Sequence, residues 1–335
     1  MRLAIIGASP ISIMSAIDLS HSHQVSLFCG GGFGGAWAPV ECFEKKFSSS
    51  HLLYWNPGLF EATDELNSRY NLGLVPLAPK PIGDVRIYKR FPEYSFRKMT
   101  LCSQITSHFR PKFIKAALSP SRQTYFEFDG GTSGLVSRLR AQLGATSLRE
   151  VDEVIDVELE QCGVTLRLAE GREHFDRVLI SSRALPAKLL SRFAVHIESG
   201  KLTQVFMRVS GLNKKTFSFV KLVSDWCFAV SDVSEPESRD ESVRIFCFAL
   251  HEGQTFMISQ SELLLKELVK RDLVSNVATV VDVFIDDHPF VNIPEEELEK
   301  INLAGNGVLQ VHRYDNLSRA LIDYLKAPTY SRLEI

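Results

Sequence analysis

With 335 residues, 45% of them hydrophobic and 23% charged, the chain is too long for one small core and suits two interleaved domains. A formal net charge of −2 gives no electrostatic reason to expect nucleic acid or an anionic membrane surface as partner. No stretch approaches the roughly 20 apolar residues that a membrane-spanning helix needs, so membrane insertion is not expected.

The opening MRLAIIGASPISIMSAIDL could be read as a signal peptide, but Gly7, Ser9 and Pro10 split its apolar run. That break suits a strand handing over to a helix, and the chain is expected in the cytoplasm. Leu3 to Ile6 is short and fully apolar, as a buried parallel strand would be. Pro10 can begin a helix because its missing N–H is one that the first turn leaves unpaired. HSHQ makes the next turn, and Val25, Leu27 and Cys29 alternate with Ser26 and Phe28 as a second strand. Strand, glycine-bearing turn, helix and strand within about 30 residues make a βαβ unit.

The run CGGGFGGAW holds five glycines among nine residues and cannot be a helix or a regular strand. The chain is then loop-rich to Ile87, with a helix expected near Leu59 to Tyr70. The prolines of VPLAPKPIGDVRIYKRFPEY suit a crossover into another domain. FDGGTSGLVSRLRAQLGA reads as a loop entering an amphipathic helix, with Leu135, Val136, Leu139 and Leu143 on one face. VDEVIDVEL and GVTLRLAEG resemble a hairpin, and FDRVLISS suits a parallel sheet. From about Thr203 to Phe284 the alternating β-rich texture predicts an antiparallel sheet, with one helix near Gln260 to Arg271. INLAGNGVLQVHRYDNLSRALIDYL reads as strand, loop and final helix, capped by Asp315 or Asn316.

The turn GASPIS carries the first chemistry. A dinucleotide fingerprint uses three glycines, for the tight turn, for pyrophosphate approach and for close helix–strand packing. Gly7 remains here, while Ser9 and Ser12 take the second and third places. Pro10 and Ile11 lie between them at a helix N-terminus that offers amides and a positive dipole end to an anion. A side chain at Gly7 is expected to fill the space where a pyrophosphate meets that terminus. An acidic residue should close the second strand to hold the adenosine ribose, and Cys29 stands there instead. A βαβ fold that no longer binds nucleotide is the competing reading. The six cysteines show no Cys-x-x-Cys pair and the nine histidines no metal-spaced cluster, so free thiols and no metal are expected.

A βαβ unit, a glycine pair after the second strand, another before a helix and a C-terminal glycine loop resemble the flavin-dependent amine oxidase superfamily. That group includes amine oxidases, protoporphyrinogen oxidases, renalase-like proteins and UDP-galactopyranose mutases. The resemblance implies an α/β architecture: a Rossmann-like FAD-binding domain with an interleaved α+β substrate domain built on an antiparallel sheet. It implies residues 1–80, 125–192 and 300–330 for the first, and 81–124 and 193–299 for the second. Gly34 and Gly35, with Ala36 and Trp37 after them, match the pair that packs near the flavin phosphates and ribityl chain. His51, in FSSSHLLYWNP, matches a position facing the flavin ring in some members and is the candidate catalytic residue, with Trp37, Tyr54 and Trp55 as candidate pocket walls. Val151 falls where a backbone contact to adenine is usual. Gly305, Asn316 and Leu317 belong to the terminal motif, whose helix N-terminus points at the flavin pyrimidine edge, and His312, Arg313 and Tyr314 precede it.

The resemblance implies FAD as cofactor and a small-molecule substrate oxidised at a C–N or C–C bond by hydride transfer. A non-redox flavoenzyme similar to the sugar-nucleotide mutases, or an inactive flavin-fold binding protein, are the alternatives. Homo-oligomerisation is left open.

Overall fold

The computed structural model describes residues 1–30, 32–47, 57–77, 125–144, 146–150, 153–196, 198–211, 219–221, 226–234, 243–250, 254–270, 273–312, 317–331 and 333. His51, Tyr54, Trp55, Val151, Arg313, Tyr314, Asn316 and the 81–124 segment lie outside the described residues.

Five strands run parallel in the central sheet: β1 (Arg2–Ile6), β2 (Gln24–Phe28), β7 (Ser147–Arg149), β11 (Arg177–Ser181) and β17 (Leu309–His312). Their order is β17-β11-β1-β2-β7, so β1 lies in the middle, with the chain's next strand on one side and a much later one on the other. Leu3, Ala4, Ile5 and Ile6 are all buried because both faces of the sheet are covered.

On one face Leu3, Ile5, Val25, Leu27 and Leu179 join a core with α1 (Pro10–Ser20), α2 (Pro57–Tyr70), α3 (Gly131–Ala141) and the final helix, Leu317–Lys326. On the other, Ala4, Ile6, Phe28, Val178 and Ile180 pack on a small antiparallel sheet of β8 (Val154–Glu160), β9 (Gly163–Leu168) and β10 (Gly171–Phe175). The same core takes in α4 (Ala187–Arg192) and α6 (Glu295–Gly305). Helix α1 is buried almost all round because the sheet, α3 and the final helix, α7, surround it.

A second sheet is antiparallel, ordered β13 (Phe219–Lys221), β14 (Cys227–Asp232), β15 (Val243–Leu250), β12 (Glu198–Ser210) and β16 (Thr279–Asn292), and built around the long pair β12 and β16. Alternation along β12 divides its faces. Val205, Met207 and Val209 pack under α5 (Ser261–Lys270), while Phe206 looks the other way. On that side Phe206 and Cys247 meet Val40, Cys42 and Phe47 of the hairpin β3 (Val40–Cys42) and β4 (Lys45–Phe47), which follows the glycine run. Thus one apolar cluster ties the start of the chain to the large antiparallel sheet.

The βαβ unit, the 131–141 helix, the hairpin of β8 and β9 and the parallel third strand of that group follow the sequence reading. Three features differ. Strand β7 is three residues long and β10 is mostly charged, so neither carries an apolar signal. Strand β2 ends at Phe28, one residue before Cys29. The stretch leading to the C-terminal glycines is a helix, α6, which ends with Asn306 in the left-handed region at φ 44°. Among the described residues, no helix is long and apolar enough to cross a membrane.

Candidate functional site

Because the five strands are parallel, their carboxyl ends gather Gly7, Cys29, Glu150, Ser181 and His312 along one edge. The crevice outside such an edge, where neighbouring connections leave the central strand in opposite directions, is the ligand position of open α/β sheets. Here that position lies beyond β1, at the turn Gly7–Ser9.

Ser9 caps α1 with extended backbone, and its hydroxyl accepts from the Ser12 amide at 3.2 Å. Pro10 follows at the first helical position and has no amide to offer. Helix geometry leaves the Ile11 amide without an intrahelical acceptor, and no acidic residue stands in the first turn to oppose an anion. The Ile11 side chain itself is core.

The second glycine turn is laid directly on the first. The Gly34 amide donates to the Ala8 carbonyl at 3.0 Å, and a methyl at Gly34 would come within 2.8 Å of Val136 on α3. Gly34 also has φ +103°, which only glycine adopts without strain. Gly35 is exposed, and its absent methyl would sit 3.7 Å from the Ser9 amide. The bare backbone of Gly35 therefore borders the α1 N-terminus and leaves room for a ligand there. Ala36 and Trp37 continue this turn as a short 3-10 helix, with Trp37 half-buried against the core.

Ser12, at the third fingerprint position, is fully buried. Its hydroxyl lies 2.8 Å from that of Ser9 and 3.3 Å from Nε2 of His312 at the end of β17. Burial pushes the His312 imidazole from its ordinary 6.5 down to about 4, so it is neutral at pH 7. Its Nδ1 is buried with no hydrogen-bond partner among the described residues. The polar chain Ser9–Ser12–His312 thus takes the place of the close helix–strand packing that a third glycine allows. The structure puts His312 beneath the fingerprint helix. No local pattern announces a pair separated by 300 positions.

The structure places three more of the expected site residues. A methyl at Gly7 would meet the Cβ atoms of Ser181 and Ala184 at 2.9 Å, so that direction faces the end of β11 rather than a ligand. Gly7, at φ +97°, is needed first for the fold. Gly305 ends α6 and packs on Leu309, at the amino end of β17, whereas Gly7, Ser181 and His312 stand at the carboxyl ends. It is not brought to this edge. Leu317 opens α7 with its side chain buried in the core.

Cys29 is buried, and its amide donates to the Arg149 carbonyl at 3.1 Å. Desolvation, then the negative charge of Glu150, push the thiol up to about 11, against the opposing charge of Arg140. A neutral thiol is a weak acceptor for a hydroxyl. The residues present therefore fit a dinucleotide pyrophosphate at α1 and Gly35, while Cys29 does not supply the usual acceptor for its ribose. Ser181 and Ser182, both buried at the end of β11, are further polar groups on this edge that the sequence reading did not single out.

No family model and no curated protein matches the sequence. Solved structures match the chain over nearly its whole length. A reduced UDP-galactopyranose mutase superposes with a TM-score of 0.66 at 12% identity, covering 97% of this chain and 95% of that one. A putrescine oxidase bound to putrescine gives 0.60 at 12% identity, covering 97% and 99%. A glycine oxidase from Geobacillus kaustophilus gives 0.54 at 17% identity, covering 100% and 96%. At these identities the shared property is the fold alone, a parallel-sheet domain joined to an antiparallel one.

Proposed function

We propose that the chain binds FAD non-covalently at the carboxyl edge of its parallel sheet and oxidises a small molecule by hydride transfer. The observation that carries this reading is the stacking of two glycine turns on one helix terminus, with Gly34 bonded to Ala8 and Gly35 bare beside Ser9. One turn offers the helix amides to a pyrophosphate, and the other keeps side chains away from the path beyond it. The flavin, when bound, supplies the redox step, and the protein supplies orientation and a dry pocket. The parallel-sheet half, 1–80, 125–192 and 300–330, is the FAD-binding domain in this reading, and 81–124 with 193–299 the substrate domain. The apolar cluster of Val40, Phe47, Phe206 and Cys247 would hold the two in place. His51, Val151 and Asn316 keep the roles the resemblance implies. The buried thiols Cys29, Cys42, Cys227 and Cys247, none in a disulfide, suit the reducing cytoplasm.

The test is the visible spectrum of protein purified after flavin-rich expression, followed by release of the chromophore on denaturation. FAD bands support the reading; nicotinamide dinucleotide, or no ligand, overturns it. Reduction of the bound chromophore by added amines then separates an oxidase from a mutase-like enzyme active only after chemical reduction.

A further inference from the structure

The end of β2 lacks an acceptor for ribose, yet its neighbouring strand carries one. Strands β2 and β7 pair in parallel as Ser26 with Ser147, Leu27 with Leu148 and Phe28 with Arg149. The Cys29 amide continues that ladder by donating to the Arg149 carbonyl. Glu150 is therefore the next residue level with Cys29, one strand over, at the roughly 4.8 Å spacing of adjacent strands. Its carboxylate is exposed and is held by one arginine. Arg140 of α3 pairs with Glu150 Oε1 at 2.6 Å. The Arg140 guanidinium lies over the ring of Phe33, at 5.4 Å, within the glycine run. Arg140, which holds the acid, thus links α3 to the loop that carries Gly34 and Gly35.

We propose that Glu150 holds the ribose hydroxyls of the adenosine half of the dinucleotide, replacing the acidic residue that the end of β2 lacks. This rests on the FAD reading above. A carboxylate one strand further out accepts from the same hydroxyls if the adenosine tilts toward β7, and the small neutral Cys29 leaves that path open. The contact with Arg140 occupies one oxygen of Glu150, while its second oxygen remains available to a hydroxyl. The acid at this point also disfavours a phosphorylated ribose, so the chain would take FAD and reject dinucleotides with a 2′-phosphate.

The test compares flavin affinities of apo-protein, with FAD, FMN and an FAD whose adenosine carries 2′-deoxyribose as probes. Glu150→Gln is expected to weaken FAD by about 10- to 100-fold, the worth of hydrogen bonds to a charged group, and to leave FMN unchanged. On the unmodified protein the deoxy analogue should lose affinity against FAD, and on Glu150→Gln that difference should vanish. An unchanged FAD affinity in Glu150→Gln, or an equal loss for FMN, overturns the proposal. If the unmodified protein binds no flavin at all, the FAD reading itself fails, which the first titration shows separately.

Discussion

Gly7 and Gly35 flank the same turn but are needed for different reasons, and alanine substitutions separate them. At Gly7 a methyl meets Ser181 and Ala184 at 2.9 Å and the backbone is at φ +97°, so Gly7→Ala is expected to destabilise the apo-protein by about 1–3 kcal/mol. At Gly35 the nearest atom is 3.7 Å away and φ is +56°, so Gly35→Ala should cost at most about 1–2 kcal/mol. Its methyl would stand beside the Ser9 amide, however, and dinucleotide affinity should fall by about tenfold or more. Denaturant midpoints and flavin titrations on both variants check the contrast. His312 makes a second prediction. Its imidazole is held neutral down to about 4, while in the unfolded chain it takes a proton near 6.5. The unfolded state therefore binds more protons between those values. The stability present above pH 6.5 is lost as pH falls toward about 4, at up to about 1.4 kcal/mol per unit. Urea midpoints at pH 7.5 and pH 5 should show that loss, and His312→Gln should show less of it.

Helix α1 is anchored at its far end by a single carboxylate. Asp18 Oδ2 accepts from the hydroxyls of Tyr70 at 2.8 Å, Tyr324 at 3.0 Å and Tyr330 at 3.3 Å, and from Arg69 at 3.1 Å. Burial, with the Asp18 charge, raises all three tyrosines above their ordinary range, Tyr330 to about 12. Removing the acceptor leaves several part-buried donors unpaired, so Asp18→Ala should cost about 2–4 kcal/mol. Asp18→Asn, which keeps an acceptor but loses the charge, should cost less; thermal melts of the two variants decide. No local pattern announces the role of Asp18, because its partners come from α2, from α7 and from the residues after α7. The βαβ unit itself was legible, since Leu3 to Ile6, Gly7 and Pro10 each carry a local signal. Glu150 was not, because β7 is three residues of no apolar pattern and its position depends on register with β2. The same holds for Ser12 and His312, which local spacing cannot bring together, and for α6, whose acidic first turn reads as solvated chain.

Across the whole molecule, the parallel sheet is completed by its latest strand, and the helix that shields α1 is later still. Residues 317–330 supply Leu317, Leu321 and Tyr324 to the core around α1, and Thr329 bonds Ser15 at 2.8 Å. During synthesis, then, the Gly7–Ser12 turn emerges well before the helix that completes its surroundings. Its apolar helix has one side open until more than 300 further residues have been made. Non-local closure of this kind is slow and exposes sticky surface in the meantime. A chain ending at residue 312 is expected to retain much of its β structure, to bind a hydrophobic dye, and to associate on standing. A well-folded monomer of that length would show that the final helix is dispensable. Helix α7 thus acts as a timer: the Gly7–Ser12 turn cannot become a finished, rigid surface until that helix has left the ribosome.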